Sequence, residues 1–165
     1  PGLLIAGTAL VVGEVARSVV RSRGGAGATR PSRMSLPPGP VLVVCGSRHP
    51  TSVRQAELVA GLPGVTVLTA PLEEHPDPEV VALGLAVRAH DHLAATGTST
   101  VVLLGGDTAD AFLGKRVARV LGSLDTGMAL GETEVDGQSV TIVTKPGGFG
   151  HDRTVHDLLS NRGDR

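Results

Sequence analysis

The sequence is short of aromatic side chains and of cysteine, and each shortage excludes a class of function. Phe112 and Phe149 are the only aromatic residues among 165, with no Trp or Tyr. Proteins that bind single-stranded nucleic acid normally stack the bases on aromatic rings, so we expect no nucleic-acid ligand. Cys45 is the single cysteine, which excludes a disulfide framework and a thiol-rich zinc site. This usage is typical of a reducing compartment and predicts a cytoplasmic location.

A large excess of charge of either sign is also missing. Lys and Arg number 15 and Asp and Glu number 16, while 41% of the residues are hydrophobic. This balance indicates a folded domain whose partners are small molecules or proteins. The apolar run over residues 3–20 contains Glu14 and Arg17 and is interrupted by Gly7 and Gly13. It therefore argues against a signal peptide or a membrane span.

Length and composition divide the chain into three parts. A chain of 165 residues suffices for one domain with a hydrophobic core. Residues 1–20 are interpreted as the tail of a preceding N-terminal domain. Residues 21–40 are rich in Gly, Ser, Arg and Pro and are interpreted as a linker that cannot fold alone. Residues 41–165 are predicted to form the functional domain.

Within residues 41–165, short β-branched runs alternate with helical stretches. This alternation predicts an α/β protein with a three-layer Rossmann-like fold, a mainly parallel sheet and a C-terminal β-hairpin. The hairpin is predicted from the turn pair Asp136-Gly137. Strands are expected at 41–45, 65–68 and 100–104 and within 132–144, and helices at about 51–60, 77–95, 108–121 and 155–160.

Three of the predicted strands end in glycine-containing loops. In open α/β sheets, ligands bind outside the carboxyl ends of the strands. Glycine lets backbone N–H groups approach a phosphate closely, and the helix that follows adds its free amides and the positive end of its dipole. The three candidate phosphate or ribose loops are Gly46-Ser47-Arg48-His49, Gly105-Gly106-Asp107-Thr108 and Lys145-Pro146-Gly147-Gly148-Phe149-Gly150.

Four side chains in these loops have suitable chemistry for a phosphorylated ligand. Ser47 and Thr108 supply hydroxyl groups at two helix starts, and Lys145 supplies a compact positive charge for phosphate oxygens. Asp107 is the candidate ligand for Mg²⁺, directly or through water. Neither a Walker motif nor a dinucleotide fingerprint is present in the sequence.

Each of these features also has a purely structural explanation. A Gly-Gly pair often marks only a tight turn, and Ser or Thr before a helix is often only a cap. His90 and His92 lie two apart in one helix and so face different directions, and His75 lies in an acidic loop, so we interpret these three as surface residues. Cys45, at the end of a buried strand, is interpreted as a small core residue.

The three loop motifs occur in an order that resembles a known family. The motifs are Gly46-Ser47 with Gln55 downstream, Gly105-Gly106-Asp107-Thr108-Ala109, and Lys145-x-Gly147-Gly148-Phe149-Gly150. Over roughly residues 40–151 the chain resembles the C-terminal domain of the four-carbon acid sugar kinase family. Residues 4–16 are similar to the end of that family's N-terminal domain.

The resemblance implies an ATP-dependent kinase that phosphorylates four-carbon sugar acids of the erythronate, threonate or 3-oxo-tetronate type. It implies that residues 41–165 are the nucleotide-binding domain and that ATP and Mg²⁺ are the cofactors. Ser47, the Gly105–Thr108 loop and the Gly147–Gly150 loop would line the ATP site. In that family the N-terminal domain supplies the sugar-acid pocket and an acidic motif near its start, and neither has a counterpart in this sequence.

The chain departs from the family pattern at two places. Arg48-His49-Pro50 replaces a commoner Ser-rich continuation, and Pro146 and Gly148 stand where many members have Ser and Asn. The catalytic base is expected in the absent domain, and a homodimer is left open. The alternative function is a non-catalytic α/β module that binds a nucleotide or a phosphorylated metabolite without turnover.

Overall fold

A computed structural model describes residues 34–71, 77–125 and 127–160. The predicted tail at residues 1–20, most of the predicted linker and His75 lie outside the described residues. The described part belongs to one structural unit within residues 33–165. The boundaries predicted for the tail and the linker therefore stay predictions.

One mixed sheet of six strands organises the described residues, in the spatial order β2-β1-β3-β6-β5-β4. Strands β2, β1, β3 and β6 run parallel, while β5 and β4 are antiparallel to their neighbours. The strands are β1 (Val41–Cys45), β2 (Val65–Thr69), β3 (Thr100–Leu104), β4 (Arg119–Asp125), β5 (Met128–Val135) and β6 (Gln138–Lys145). The helices are α1 (Pro50–Val59), α2 (Pro78–Thr96), α3 (Gly106–Leu113) and α4 (Thr154–Ser160).

Helices cover both faces of this sheet and form two separate apolar layers. Every residue of β1 and of β3 is buried, as expected for parallel strands covered on both sides. One layer places Val43 and Val102 against α1 and α4. The other places Leu42 and Val101 against α2 and α3. The predicted three-layer α/β fold is thus confirmed, and no helix in the described ranges is long and apolar enough to cross a membrane.

Local sequence signals explain where two of the helices begin. The α2 helix starts after Asp77, whose carboxylate accepts a hydrogen bond from the backbone N–H of Glu79 at 2.9 Å. Pro78 occupies the first helical position, where its missing N–H is not needed. The α1 helix starts after His49, whose ring nitrogen Nδ1 accepts from the backbone N–H of Thr51 at 3.3 Å. Histidine here takes the capping role that Ser, Thr or Asp usually has.

The predicted helix over residues 108–121 is wrong in its second half. Helix α3 ends at Leu113, because Gly114 adopts a positive φ of +54° and donates its N–H to the carbonyl of Asp110. Such a glycine is a common helix end. The chain then forms the edge strand β4, which the sequence pattern did not predict. Arg119 of β4 lies opposite Glu132 of β5 and forms an ion pair with it at 2.5 Å.

The C-terminal hairpin is confirmed, with β5 and β6 joined directly at Asp136-Gly137. Both turn residues have positive φ, +49° for Asp136 and +80° for Gly137. This is the backbone that a two-residue turn needs to follow the right-handed twist of its strands. The hairpin returns β6 to the centre of the sheet beside β3, and this places the last glycine loop next to the other two.

Candidate functional site

The first two glycine loops meet where the strand order of the sheet reverses. The chain leaves β1 towards α1 on one face of the sheet, and leaves the adjacent strand β3 towards α3 on the other face. Such a switch point opens a crevice at the carboxyl ends of the strands. A cleft of about 500 Å³ lies there. It is lined by Gly46–Arg48, Gly105–Thr108, Gly147 and, from α2, Pro78, Val81 and Ala82.

The loops after β1 and β3 are in direct contact, and glycine is required for this approach. The backbone N–H of Ser47 donates to the carbonyl of Leu104 at 3.2 Å. The Thr108 hydroxyl donates to the same carbonyl at 3.3 Å. A Cβ atom on Gly46 would collide with that hydroxyl, and one on Gly105 would lie 3.0 Å from it. Thr108 is therefore a buried residue that joins the two loops.

The start of α3 presents uncapped backbone amides to the cleft. Gly105 is the cap residue and makes no side-chain hydrogen bond, so no side chain caps the first turn. Free amides and the helix dipole favour an anion at this position. Asp107 lies in the same turn, is exposed and borders the cleft. Ser47 lines the cleft from the first loop, and its hydroxyl accepts from the backbone N–H of His49 at 3.3 Å.

The third loop, residues 146–150, is held from inside by Lys145. The side chain of Lys145 is only 1% exposed. Its Nζ atom donates to the carbonyls of Pro146 at 2.9 Å, Gly147 at 2.8 Å and Phe149 at 2.8 Å. An ammonium group has three protons, and all three are engaged. The predicted direct contact between Lys145 and a phosphate therefore does not fit this arrangement.

Burial also changes the acid–base behaviour of Lys145 and its neighbour Cys45. Burial lowers the pKa of the Lys145 ammonium below its usual value, while the negative charge of an ionised Cys45 would raise it. Burial raises the pKa of the Cys45 thiol, and the charge of Lys145 offsets only part of this effect. The Cys45 side chain is 2% exposed, which confirms it as a core residue.

Helix α1 supplies two further supports for the third loop. The Ser52 hydroxyl donates to the carbonyl of Gly147. The Gln55 amide nitrogen donates to the carbonyls of His151 at 2.8 Å and Phe149 at 3.3 Å. Both side chains are fully buried. Their spacing of three residues places them on one face of the helix, and this is the signal by which Ser52 could have been found in the sequence.

Two aromatic rings lie against glycines at the edge of this loop. The imidazole of His49 lies over Gly148, where a Cβ atom would come 2.7 Å from the ring nitrogen Nε2. The ring of Phe149 is 42% exposed and lies against Gly127, so closely that a Cβ atom there would clash with it. His49 lies in the predicted first loop but was assigned no role of its own, because capping and loop position alone do not reveal what its ring contacts.

Contacts between α2 and α3 account for the position of His90. His90 is partly buried instead of freely solvated as predicted: its Nε2 lies 3.1 Å from the carbonyl oxygen of Phe112, and the two rings are 4.7 Å apart. Burial lowers the pKa of this imidazole, and its contacts join α2 to α3.

In the described ranges no group of three or more His, Cys, Asp or Glu side chains is arranged to hold a metal ion. A metal at Asp107 would thus need further ligands from phosphate or water, as Mg²⁺ commonly has.

The fold and the cleft define a doubly wound α/β protein with a candidate anion site at its switch point. Solved structures of DUF1537 proteins are similar to it. The domain of unknown function from Bordetella bronchiseptica, solved with bound citrate as a domain-swapped dimer, matches in one crystal form with 27% identity and a TM-score of 0.60, over 74% of this chain and 39% of that chain. A second crystal form matches with 26% identity and a TM-score of 0.63, over 78% and 40%.

A Haemophilus influenzae protein of the same DUF1537 group shares the fold at 13% identity, with a TM-score of 0.55, over 87% of this chain and 45% of that chain. The present chain thus spans less than half the length of these neighbours. Neither a protein-family model nor a curated protein matches the sequence. The chain is therefore similar in structure to part of the DUF1537 proteins.

Proposed function

We propose that residues 41–165 are the ATP-binding part of a kinase that phosphorylates four-carbon sugar acids. The observation that carries this proposal is the meeting of three glycine loops at the switch point of the sheet, around a cleft of about 500 Å³. The loop motifs resemble those of the four-carbon acid sugar kinases. The structural likeness to DUF1537 proteins, which are grouped with that family, supports the same assignment.

Phosphoryl transfer asks a protein mainly to position the groups and to neutralise charge. In the proposal, the backbone amides at the start of α3 and in the third loop bind phosphate oxygens. The Ser47 hydroxyl adds a donor from the first loop. Asp107 holds Mg²⁺ together with phosphate oxygens and water, and the metal neutralises charge on the phosphates.

The sugar acid and the acceptor base belong, in this proposal, to the part of the DUF1537 proteins that this chain does not span. Asp107 is the one carboxylate among the residues that line this cleft, while Asp77, Glu79 and Asp110 line an adjoining depression that shares Asp107. Since the Asp107 carboxylate is assigned to the metal, the cleft offers no second carboxylate as a base. We therefore expect the chain alone to bind nucleotide but not to transfer phosphate.

Calorimetric titration with ATP and Mg²⁺ tests the nucleotide site. We expect saturable binding, and we expect Asp107→Asn to weaken it about tenfold, or ~1.4 kcal/mol, when Mg²⁺ is present. Without Mg²⁺ the two proteins should differ little. Asp91→Asn, near the other end of α2, is the matched control and should bind like the wild type. Absence of saturable ATP or ADP binding in the wild type would refute the proposal.

The second candidate function is a module that binds a nucleotide or phosphorylated metabolite without turnover. The single carboxylate in the cleft is the observation that favours it. One experiment distinguishes the kinase from the binding module. The chain is mixed with the separately expressed remainder of a DUF1537 protein, and ATP and four-carbon sugar acids are then added. Phosphorylated acid detected by ³¹P NMR supports the kinase. ATP binding without product in every mixture supports the binding module.

A further inference from the structure

Three carbonyl groups of the third loop, and that of His151 just after it, accept hydrogen bonds from buried donors. Lys145 binds those of Pro146, Gly147 and Phe149. Ser52 adds a second bond to Gly147. Gln55 binds the carbonyls of Phe149 and His151. Three buried side chains from two elements thus draw one side of the loop backbone inwards.

The orientation of the carbonyls fixes the orientation of the amides that follow them. In a trans peptide the C=O of one residue and the N–H of the next point in opposite directions, and the described residues contain no cis peptide. The N–H groups of Gly147, Gly148 and Gly150 therefore face away from the buried donors. Within the described residues, none of these three N–H groups donates a hydrogen bond to another group of the protein. Gly148 and Gly150 are exposed, and Gly147 borders the cleft.

His49 adds a fourth donor beside these amides. Its Nδ1 atom accepts from the N–H of Thr51, so in the neutral ring the proton lies on Nε2. That Nε2 atom packs against Gly148, 2.7 Å from where a Cβ atom would lie. Successive outward N–H groups form a concave site for an anion, called a nest. Here the nest comprises the amides of Gly147, Gly148 and Gly150, with His49 at its rim.

We propose that Lys145 is a positioning residue: its buried ammonium gathers the loop carbonyls, and thereby turns these three glycine amides outwards as a nest for a phosphate group of the nucleotide. The inference rests on the proposed function, because that function supplies the phosphate. In this inference the Lys145 ammonium holds the loop backbone in place and does not contact the ligand itself. The ligand class is a terminal phosphate or polyphosphate group.

The test compares Lys145→Met with Lys115→Met, which makes the same chemical change at an exposed lysine. Inorganic tripolyphosphate and ATP are titrated into each protein, and circular dichroism checks that each is folded. We expect Lys145→Met to bind both probes at least about tenfold more weakly, while Lys115→Met binds them like the wild type. If folded Lys145→Met binds both probes with the affinity of the wild type, the inference is overturned. ATP binding by the wild type would still support the proposed function in that case.

Amide NMR spectra show directly whether the loop amides bind the anion, which a loss of affinity or of stability alone does not show. Adding tripolyphosphate to the wild type should shift the N–H signals of Gly147, Gly148 and Gly150 downfield, because the anion hydrogen-bonds them. If these three signals stay in place while tripolyphosphate binds, the nest is not the site.

If Lys145→Met does not fold, Ser52→Ala decides the question. This variant removes one donor to the Gly147 carbonyl and leaves the ammonium in place. We expect it to weaken tripolyphosphate binding about threefold. Unchanged affinity in Ser52→Ala, together with unchanged glycine signals, would overturn the inference.

Discussion

At the scale of single residues, Gly46 shows how closely the first two loops approach each other. A methyl group at this position would collide with the Thr108 hydroxyl and lie 3.2 Å from a Leu85 methyl group. We expect Gly46→Ala to lower the free energy of unfolding by ~1–3 kcal/mol through overpacking. Gly106→Ala is the control, since a Cβ there meets nothing within 4 Å. Denaturant titration compares the two, and equal stabilities would show that the loops can separate freely.

Cys45 gives a second prediction at this scale. Because burial raises the pKa of its thiol, the folded protein keeps the proton at a pH where the unfolded chain has lost it. The resulting stability is complete below the unfolded pKa, and it is lost as pH rises through the higher folded pKa. The free energy of unfolding of the wild type should therefore fall more steeply above pH ~8.5 than that of Cys45→Ala.

The thiol's accessibility checks the same environment independently. Cys45 is the single cysteine, so one thiol per chain should react with an aromatic disulfide reagent in denaturant. In the folded protein at pH 8 the reaction should be very slow. Fast reaction without denaturant would contradict the burial of this strand end.

The sequence predicted which loops meet at the cleft better than it predicted what their side chains contact. Glycines at strand ends indicated the cleft, because the carboxyl ends of parallel strands share one sheet edge. The charge of Lys145 suggested a phosphate ligand, but its direction depends on the path of the following loop. That path is set by carbonyls, which every residue has, and so the residue types do not reveal it. His49 was assigned no role for the same reason, and Ser52 was missed although its spacing from Gln55 places both on one face of α1.

At the scale of elements, β4 is the part that could not be predicted. Its sequence, Arg119–Asp125, contains one β-branched residue and a glycine, so its intrinsic preference for a strand is weak. It forms because β5 offers an unpaired edge, a tertiary effect that local patterns do not contain. The end of α3 at Gly114 was predictable, since a glycine directly after the apolar pair Phe112 and Leu113 is a recognisable helix stop.

The β5–β6 turn gives a prediction at the scale of elements. Gly137 has a φ of +80°, a conformation that residues with a Cβ rarely adopt. We expect Gly137→Ala to lower the free energy of unfolding by ~1 kcal/mol. Gly61→Ala, where a Cβ also meets nothing within 4 Å and φ is not positive, should change it much less. Thermal unfolding of both variants measures the difference, and a neutral Gly137→Ala would argue against this turn.

At the scale of the whole described domain, the cleft is lined by elements from both helical layers. The loop after β1 leads to α1 on one face, while Asp107 and Pro78 belong to helices on the other face. A ligand in the cleft therefore contacts segments whose apolar layers are separated by the sheet. Binding should stabilise both layers together, and amide hydrogen exchange should slow in α1 and α3 alike when ATP is added.

The size of that stabilisation follows from mass action. A ligand at a hundred times its dissociation constant adds ~2.7 kcal/mol to the free energy of unfolding, so ATP with Mg²⁺ should raise the Tm by several degrees. Scanning calorimetry is the suitable measurement, because the chain has no Trp or Tyr to report unfolding by fluorescence. Adenosine lacks the phosphates that the loop amides would bind, and should raise the Tm much less. Equal Tm shifts from ATP and adenosine would show that the glycine loops do not bind phosphate. If tripolyphosphate raises the Tm as much as ATP does, the phosphate contacts lie in this chain and the contacts to the base lie elsewhere.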